Sequence, residues 1–362
     1  MRPSLRGAGL PLMTAAISGW LMFAGLYAIA LAFEDSTDDV PLSALEIGRG
    51  VIELILMLGA GVWCGRRTLI ELSARYSSKR FSDMQLALGM YWALLTAFLC
   101  GSVLKDQTYL AIKGLNAAWV CMGILLLWVL WRSLQSMALR AVISTAAPPV
   151  GTLLFLRVFK ASNRSERFTD RFFAYWRFAG PVWMIAGPDL AGAYMEPPQF
   201  FAYIGRRLHE QFVGDPRDAA ARVQALDNAR DPDGRFRINE LLCSRKSWQP
   251  TVLQMIARAG VILLDLREYS HQHKGVRFEL TELLRGASLA KVVLLIDANE
   301  DVLPLTNEVA SIWRDIGHSR NVTGELGFLQ ILRFGIGTDS EMYGLFRASV
   351  HAATNANPRV TC

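Results

Sequence analysis

The sequence predicts a membrane α-helical domain with four transmembrane helices, followed by a cytoplasmic α/β domain. Hydrophobic residues make up 52% of the 362-residue chain, and its mean hydropathy of +0.25 is high for an ordinary soluble protein. Most of this apolar excess lies in the first 140 residues. Beyond them, short apolar runs alternate with amphipathic segments, a pattern typical of βαβ units. The two parts of the chain are therefore expected to lie in different solvents.

Four apolar runs are long enough to cross a bilayer, for which about 20 helical residues suffice. They are Leu10–Phe33, Ile47–Gly65, Met84–Leu104 and Leu115–Leu134. Lipid offers no partners for backbone polar groups, so each run must be helical to span it. The predicted membrane domain covers 1–140, and 141–151 is a linker. A fifth span at Ala141–Leu156 is the alternative, but Pro148 and Pro149 interrupt that run and favour the linker.

The distribution of basic residues predicts how these helices are oriented. Arg2 and Arg6 precede the first run, the segment after that run is acidic, and Arg66 and Arg67 begin a basic segment after the second run. Cytoplasmic loops carry the excess of Lys and Arg, so we expect a multi-pass protein with both termini inside and the lipid bilayer as a partner. Glu53 is the one carboxylate at membrane depth. With no charged partner in the other runs, it favours an anchor over a transport path.

Charge and cysteine usage exclude two further classes of protein. The formal net charge is +6, yet the chain contains no run of five or more Lys and Arg, so no nucleic-acid partner is expected. The five cysteines include no CxxC pair. They are interpreted as free thiols in a reducing compartment rather than as ligands of a structural metal.

The α/β domain is predicted over 152–355, with a tail at 356–362. Its sheet is expected to contain about five mostly parallel strands, since the apolar runs are short and separated by helical patterns. The predicted strands are Thr152–Phe159, Val182–Ala186, Val261–Leu266, Lys291–Asp297 and Phe328–Phe334. Residues 190–247 do not follow this rhythm and are interpreted as an insertion after the second strand, with a turn and strand of its own at Asp231–Leu242. Right-handed crossovers would place functional loops at the carboxyl ends of the strands.

The motifs of the common enzyme classes are missing. The sequence has no Walker A loop, no GxGxxG after a strand, no GxSxG and no HExxH. Asp231, Asp233 and Glu240 fall at calcium-ligand spacing, but the first ligand position is Ala229, and an Asp-Pro-Asp-Gly turn explains the same residues without metal. His271 and His273 alone are too few for a zinc site. No metal and no cofactor are predicted.

One stretch, residues 247–301, carries a more specific pattern. A helix leads into an apolar strand, a polar loop, a helix with Glu279 in a Phe-Glu-Leu triplet, and a further strand that ends in acidic residues. This order resembles the second half of a TIR domain, a TIR/nucleoside-hydrolase-type fold with a flavodoxin-like sheet. The order of elements extends the resemblance over Thr152–Val350. Two departures are the size of the insertion and the residues immediately before Glu279.

The resemblance implies a function and a set of site residues. In NAD-cleaving TIR domains the helix glutamate stabilises the ribose at the scissile nicotinamide bond, so Glu279 would be catalytic. The residues that would hold the nucleotide are Arg157, Lys160, Arg164 and Trp183. NAD would be the substrate, and a homo-oligomer is expected. The alternative that the resemblance leaves open is a non-enzymatic interaction or nucleotide-sensing module coupled to the membrane helices.

Overall fold

A computed structural model of the chain describes residues 44–87, 89, 91, 148–157, 163–186, 197–267, 269, 273–299, 301–316, 329–335 and 337–355. These residues form two compact units. The first contains the described residues up to 145 together with 197–206 and 231–233, and the second contains the remaining described residues.

The first unit is built on a long helix, α1 (Ala44–Ser77). Its carboxyl-terminal part packs against α3 (Pro197–Ile204) through Tyr76 and Phe201, whose ring centroids are 4.7 Å apart. Ser73 Oγ donates a hydrogen bond of 2.6 Å to the carbonyl oxygen of Phe201. The next turn begins with a reciprocal cap, in which Ser82 and Gln85 each bond the other's backbone N–H.

The predicted membrane fold is wrong. Within the described part of the chain, no helix combines the length and the apolar character that crossing a membrane requires. The second predicted span, Ile47–Gly65, lies inside α1, where the uncharged stretch between Glu53 and Arg66 has 12 residues. Such a stretch is about 18 Å long, against a hydrocarbon core of about 30 Å. The predicted multi-pass localisation with both termini inside rested on these spans, and it is wrong as well.

The other predicted spans cannot be compared in the same way. Leu10–Phe33 and Leu115–Leu134 lie outside the described residues, and so does most of Met84–Leu104. The linker at 141–151 and the tail at 356–362 also lie largely or wholly outside them.

The second unit is an α/β fold with a parallel sheet, which confirms the predicted alternation of strands and helices. Its strands are β1 (Leu153–Arg157), β2 (Val182–Ala186), β3 (Phe212–Val213), β4 (Ile238–Cys243), β5 (Val261–Asp265), β6 (Val292–Asp297) and β7 (Gln330–Phe334). Its helices are α2 (Asn163–Ala179), α4 (Ala219–Gln224), α5 (Trp248–Arg258), α6 (Lys274–Gly286), α7 (Val302–Ile316) and α8 (Asp339–Asn355). Two short 3-10 helices, Leu208–Gln211 and Pro216–Asp218, lie on either side of β3.

The sheet has seven strands in the order β3-β4-β2-β1-β5-β6-β7, and every described strand pair is parallel. The predicted count of about five was wrong because the segment interpreted as an insertion supplies two strands. β3 has only two residues, too few for a periodic signal, and β4 is buried only in its last three positions. Both extend the sheet beyond β2 rather than forming a separate element.

Helices cover both faces of this sheet, so its central strands are apolar on both sides. On one face Leu154 and Leu156 of β1 join a core with α4, α5, α6 and α7. On the other face Leu153 and Phe155 pack against α2 and α8. Loops and helix ends therefore meet at the two edges where the strands begin and end, and the candidate functional groups lie at the carboxyl edge.

Candidate functional site

The strand order places a topological switch point between β1 and β5. From β1 the chain passes to β2 on one side, whereas β5 lies on the other side of β1 and is followed outwards by β6 and β7. In open parallel sheets, ligands bind in the crevice outside the carboxyl ends of the strands at such a point. Arg157 and Asp265 end the two strands and are register partners. Two charged residues therefore lie at the strand ends where a ligand is expected to bind.

A buried ion pair fixes the end of β5. Arg267, two residues after the strand, donates hydrogen bonds from Nε to Asp265 Oδ1 at 2.8 Å and from Nη2 to Oδ2 at 2.6 Å. Both residues are buried. The guanidinium carbon also lies 4.0 Å from the ring centroid of Phe168 and 5.3 Å from that of Phe334. The ion pair and the two ring contacts hold the Arg267 side chain in one position beside the switch point.

The carboxylate of Glu341, in the first turn of α8, binds the loop that joins β7 to this helix. Glu341 accepts hydrogen bonds from the backbone N–H groups of Gly335, Gly337 and Thr338 at 2.9 to 3.0 Å. These bonds, led by that from Thr338, lower the pKa of the carboxyl. Gly337 has φ +81°, a conformation that favours glycine. The amide donors that an external anion would use at this strand end are thus already taken.

Glu279 lies inside the helical layer. It belongs to α6, where it continues the buried stripe of Val276, Leu280 and Leu283, and only 1% of it is exposed. Its Oε2 atom has no hydrogen-bond partner among the described residues. Removal from water raises the pKa of the carboxyl to about 8, since nothing opposes the cost of burying its charge. At neutral pH this carboxyl therefore carries a proton.

A second polar cluster joins the loop after β5 to α7. Tyr269 donates a hydrogen bond from its hydroxyl to Glu308 Oε1 at 2.8 Å, and Arg277 Nε lies 3.9 Å from the same oxygen. His273 packs near Tyr269, with 6.3 Å between the ring centroids. Burial, followed by the neighbouring Glu308, raises the pKa of the Tyr269 hydroxyl. This cluster ties the start of α6 to α7.

The predicted nucleotide-binding residues are found in different environments. Arg157 ends β1 at the carboxyl edge and is partly exposed. Trp183, the second residue of β2, is 3% exposed, and its Nε1 donates a 3.0 Å hydrogen bond to Asn228 Oδ1. Lys160 lies outside the described residues, and of Arg164 only the place in α2 is described. The structure therefore brings Arg157 to the switch point and buries Trp183 within the sheet layer.

The calcium alternative gains no geometric support. Asp231 and Asp233 are buried, and Asp231 Oδ1 lies 3.7 Å from Lys79 Nζ within the first unit. Gly234, at φ +83°, completes the turn. Across the described ranges, no three His, Cys, Asp or Glu side chains are grouped so that they could hold a metal ion. His271 lies outside these ranges.

No known family model, no curated protein and no solved structure matches this chain. The resemblance to TIR domains therefore stays a prediction.

Sequence reasoning missed Asp265, Arg267, Tyr269, Glu308 and Glu341. A signal for the first two was available, because Asp265 directly ends an apolar run and Arg267 follows it two residues later. The roles of the other three depend on partners from separate elements.

Proposed function

We propose that the α/β unit binds a nucleotide through its phosphate groups at the switch point between β1 and β5. The observation that carries this proposal is the position of Arg157, which ends β1 beside the end of β5. The charge of Arg267 is already neutralised by Asp265, and its guanidinium is covered by aromatic rings. Arg157 supplies the charge-assisted hydrogen bonds to phosphate, for which a planar guanidinium is well suited.

The sequence around this point supports an anionic ligand. In the sequence Lys160 and Arg164 come soon after β1, and Lys274 comes soon after β5. Cations close to one ligand site raise the local concentration of a negatively charged ligand. Since Glu341 already uses the amide donors after β7, the phosphates bind on the β1 and β5 side.

Binding without cleavage is the reading that the burial of Glu279 favours. Stabilising an oxocarbenium-like centre requires an ionised carboxylate that reaches the ribose. Glu279 is only 1% exposed, and its pKa of about 8 keeps it protonated at neutral pH. We therefore place the non-enzymatic, nucleotide-sensing role first.

Replacing Arg157 tests the binding proposal. Loss of a charged hydrogen bond costs about 1.5–3 kcal/mol, so Arg157→Ala should weaken binding of ATP, NAD or ADP-ribose to the purified full chain about 10- to 100-fold. Isothermal titration calorimetry measures the change in Kd. The matched control is Arg285→Ala, which removes an arginine from the last turn of α6 and should leave the affinity for nucleotide unchanged. Equal affinities for the wild type and Arg157→Ala would contradict the proposal.

Glycosidic cleavage is the second candidate, favoured by one observation. A buried carboxyl is costly when its pKa is raised and one of its oxygens, here Oε2, has no hydrogen-bond partner in the described part of the chain. Such groups are concentrated at functional sites. If ligand binding exposes Glu279, the full chain should release nicotinamide from NAD, and Glu279→Gln should lower the rate at least about 100-fold. Chromatography of the products measures this. Tight binding of NAD with no nicotinamide released would leave the nucleotide-binding role and exclude cleavage.

A further inference from the structure

The middle of α1, from Ile52 to Ile70, presents an apolar face to solvent. Seven large side chains are between 41% and 66% exposed there. They are Ile52, Ile55, Leu56, Val62, Trp63, Leu69 and Ile70. Exposed apolar side chains scattered singly are ordinary, but a continuous face of this kind marks an interaction surface. We call these seven residues the α1 face.

The α1 face repeats every seven residues. Ile55, Val62 and Leu69 form one row along the helix, and Leu56, Trp63 and Ile70 form the adjacent row. A seven-residue apolar repeat is the pattern by which one helix pairs with another. Between the rows Gly59 is open, with nothing within 4 Å of the position that a Cβ atom would take. A second helix can therefore approach closely at the middle of the face.

The charges that flank the α1 face determine the direction of pairing. The sequence places Arg49 and Glu53 before the midpoint at Ala60, and Arg67 and Glu71 after it at matching separations. By sequence position, an antiparallel pair centred on Ala60 places residue 53 opposite Arg67 and residue 49 opposite Glu71, whose carboxylate also pairs with Arg75 of its own helix. A parallel, in-register pair would instead set Arg66, which continues the row of Ile52 and Gly59, beside Arg66 of the other copy. The antiparallel arrangement thus brings positions of opposite charge together and keeps the two Arg66 residues apart.

We propose that α1 pairs antiparallel with α1 of a second copy of this chain, burying the α1 face. The seven side chains expose roughly 800 Å² per copy, about the area that each partner contributes to a stable interface. The pairing does not depend on the α/β unit or on its ligand. It gives the expected homo-oligomer a defined surface and joins two nucleotide-binding units in one particle.

The test measures the mass of the purified full chain by sedimentation equilibrium. The wild type should be a dimer, and Val62→Glu, which puts a charge at the centre of the interface, should raise the dimer dissociation constant at least about 100-fold. The matched control is Tyr343→Glu, which alters an apolar side chain of α8 that is 56% exposed; it should leave the dimer intact. A monomeric wild type overturns the proposal, and so does a monomer whose α1 face binds phosphatidylcholine vesicles instead.

A charge exchange tests the register separately from the apolar contacts. Arg67→Glu should weaken the dimer about 10-fold by facing Glu53 with a like charge, and adding Glu53→Arg should restore it. Circular dichroism of each variant checks that the fold is retained, since the Arg67 guanidinium carbon also lies 5.4 Å from the ring centroid of Trp63. Failure of the double variant to recover the wild-type dissociation constant would overturn the antiparallel arrangement.

Discussion

At pH 8, Glu279→Met should unfold at a temperature roughly 10 °C above that of the wild type. The unfolded chain ionises this carboxyl above about pH 4.5, whereas the folded chain holds its proton until about pH 8. Because the pKa of this carboxyl is raised in the folded state, ionisation stabilises the unfolded state relative to the folded state as the pH rises between these two values. The free-energy difference amounts to roughly 4–5 kcal/mol. In a unit of this size each kcal/mol shifts the unfolding temperature by about 2–4 °C.

The pH profile is the decisive measurement for Glu279. The unfolding temperature of the wild type should fall between pH 4.5 and pH 8 and then level off, because above pH 8 both states are ionised at this position. For Glu279→Met the decrease over the same interval should be much smaller. Glu282→Met is the matched control, one turn away on the same helix and paired with Arg285, and it should keep the wild-type profile. Identical profiles for the wild type and Glu279→Met would show that burial of Glu279 carries no such cost.

Asp265→Ala should destabilise the α/β unit by about 3–5 kcal/mol. The substitution leaves the Arg267 guanidinium buried without the carboxylate that bonds two of its nitrogens. An uncompensated buried charge costs more than the pair contributes, and so Arg267→Met should be destabilising for the same reason. Urea unfolding followed by circular dichroism gives the free energies.

The double variant separates the pair from its parts. Asp265→Ala combined with Arg267→Met should cost clearly less than the sum of the two single changes, since no lone charge is left in the core. As a control, Arg285→Ala breaks the more exposed pair with Glu282 and should cost less than about 1 kcal/mol. Additive losses in the double variant would mean that Asp265 and Arg267 act independently.

The α/β pattern could be predicted because buried parallel strands are continuous apolar runs bounded by turn residues. Val182–Ala186 was predicted with the bounds that the structure gives it, since Gly180 and Pro181 precede it. The number of strands could not be predicted in this way. β3 is two residues long, and β4 acquires its place only by pairing with β2.

The site residues named from the sequence stay predictions. Arg157 was named as a nucleotide-binding residue inside a strand predicted to run on to Phe159, whereas β1 ends at Arg157 itself. Glu279 was named only through the resemblance to TIR domains. Local sequence could not show that Glu279 faces a closed layer, because burial depends on α5, α7 and the sheet. Nor could it show that Arg267 stacks on Phe168 and Phe334, which come from elements distant in sequence. In α1, a hydropathy average does not distinguish a run of residues that crosses a lipid bilayer from a helix with one exposed apolar face.

The two outer strands of the described sheet bear on how copies of this chain meet. β3 offers only two residues of edge, and β7 carries the exposed charged side chain of Arg333. Unpaired strand edges are the usual template on which sheets of separate molecules join, and short or charged edges prevent it. Both described edges of the sheet are therefore poor templates for its growth from one molecule into the next.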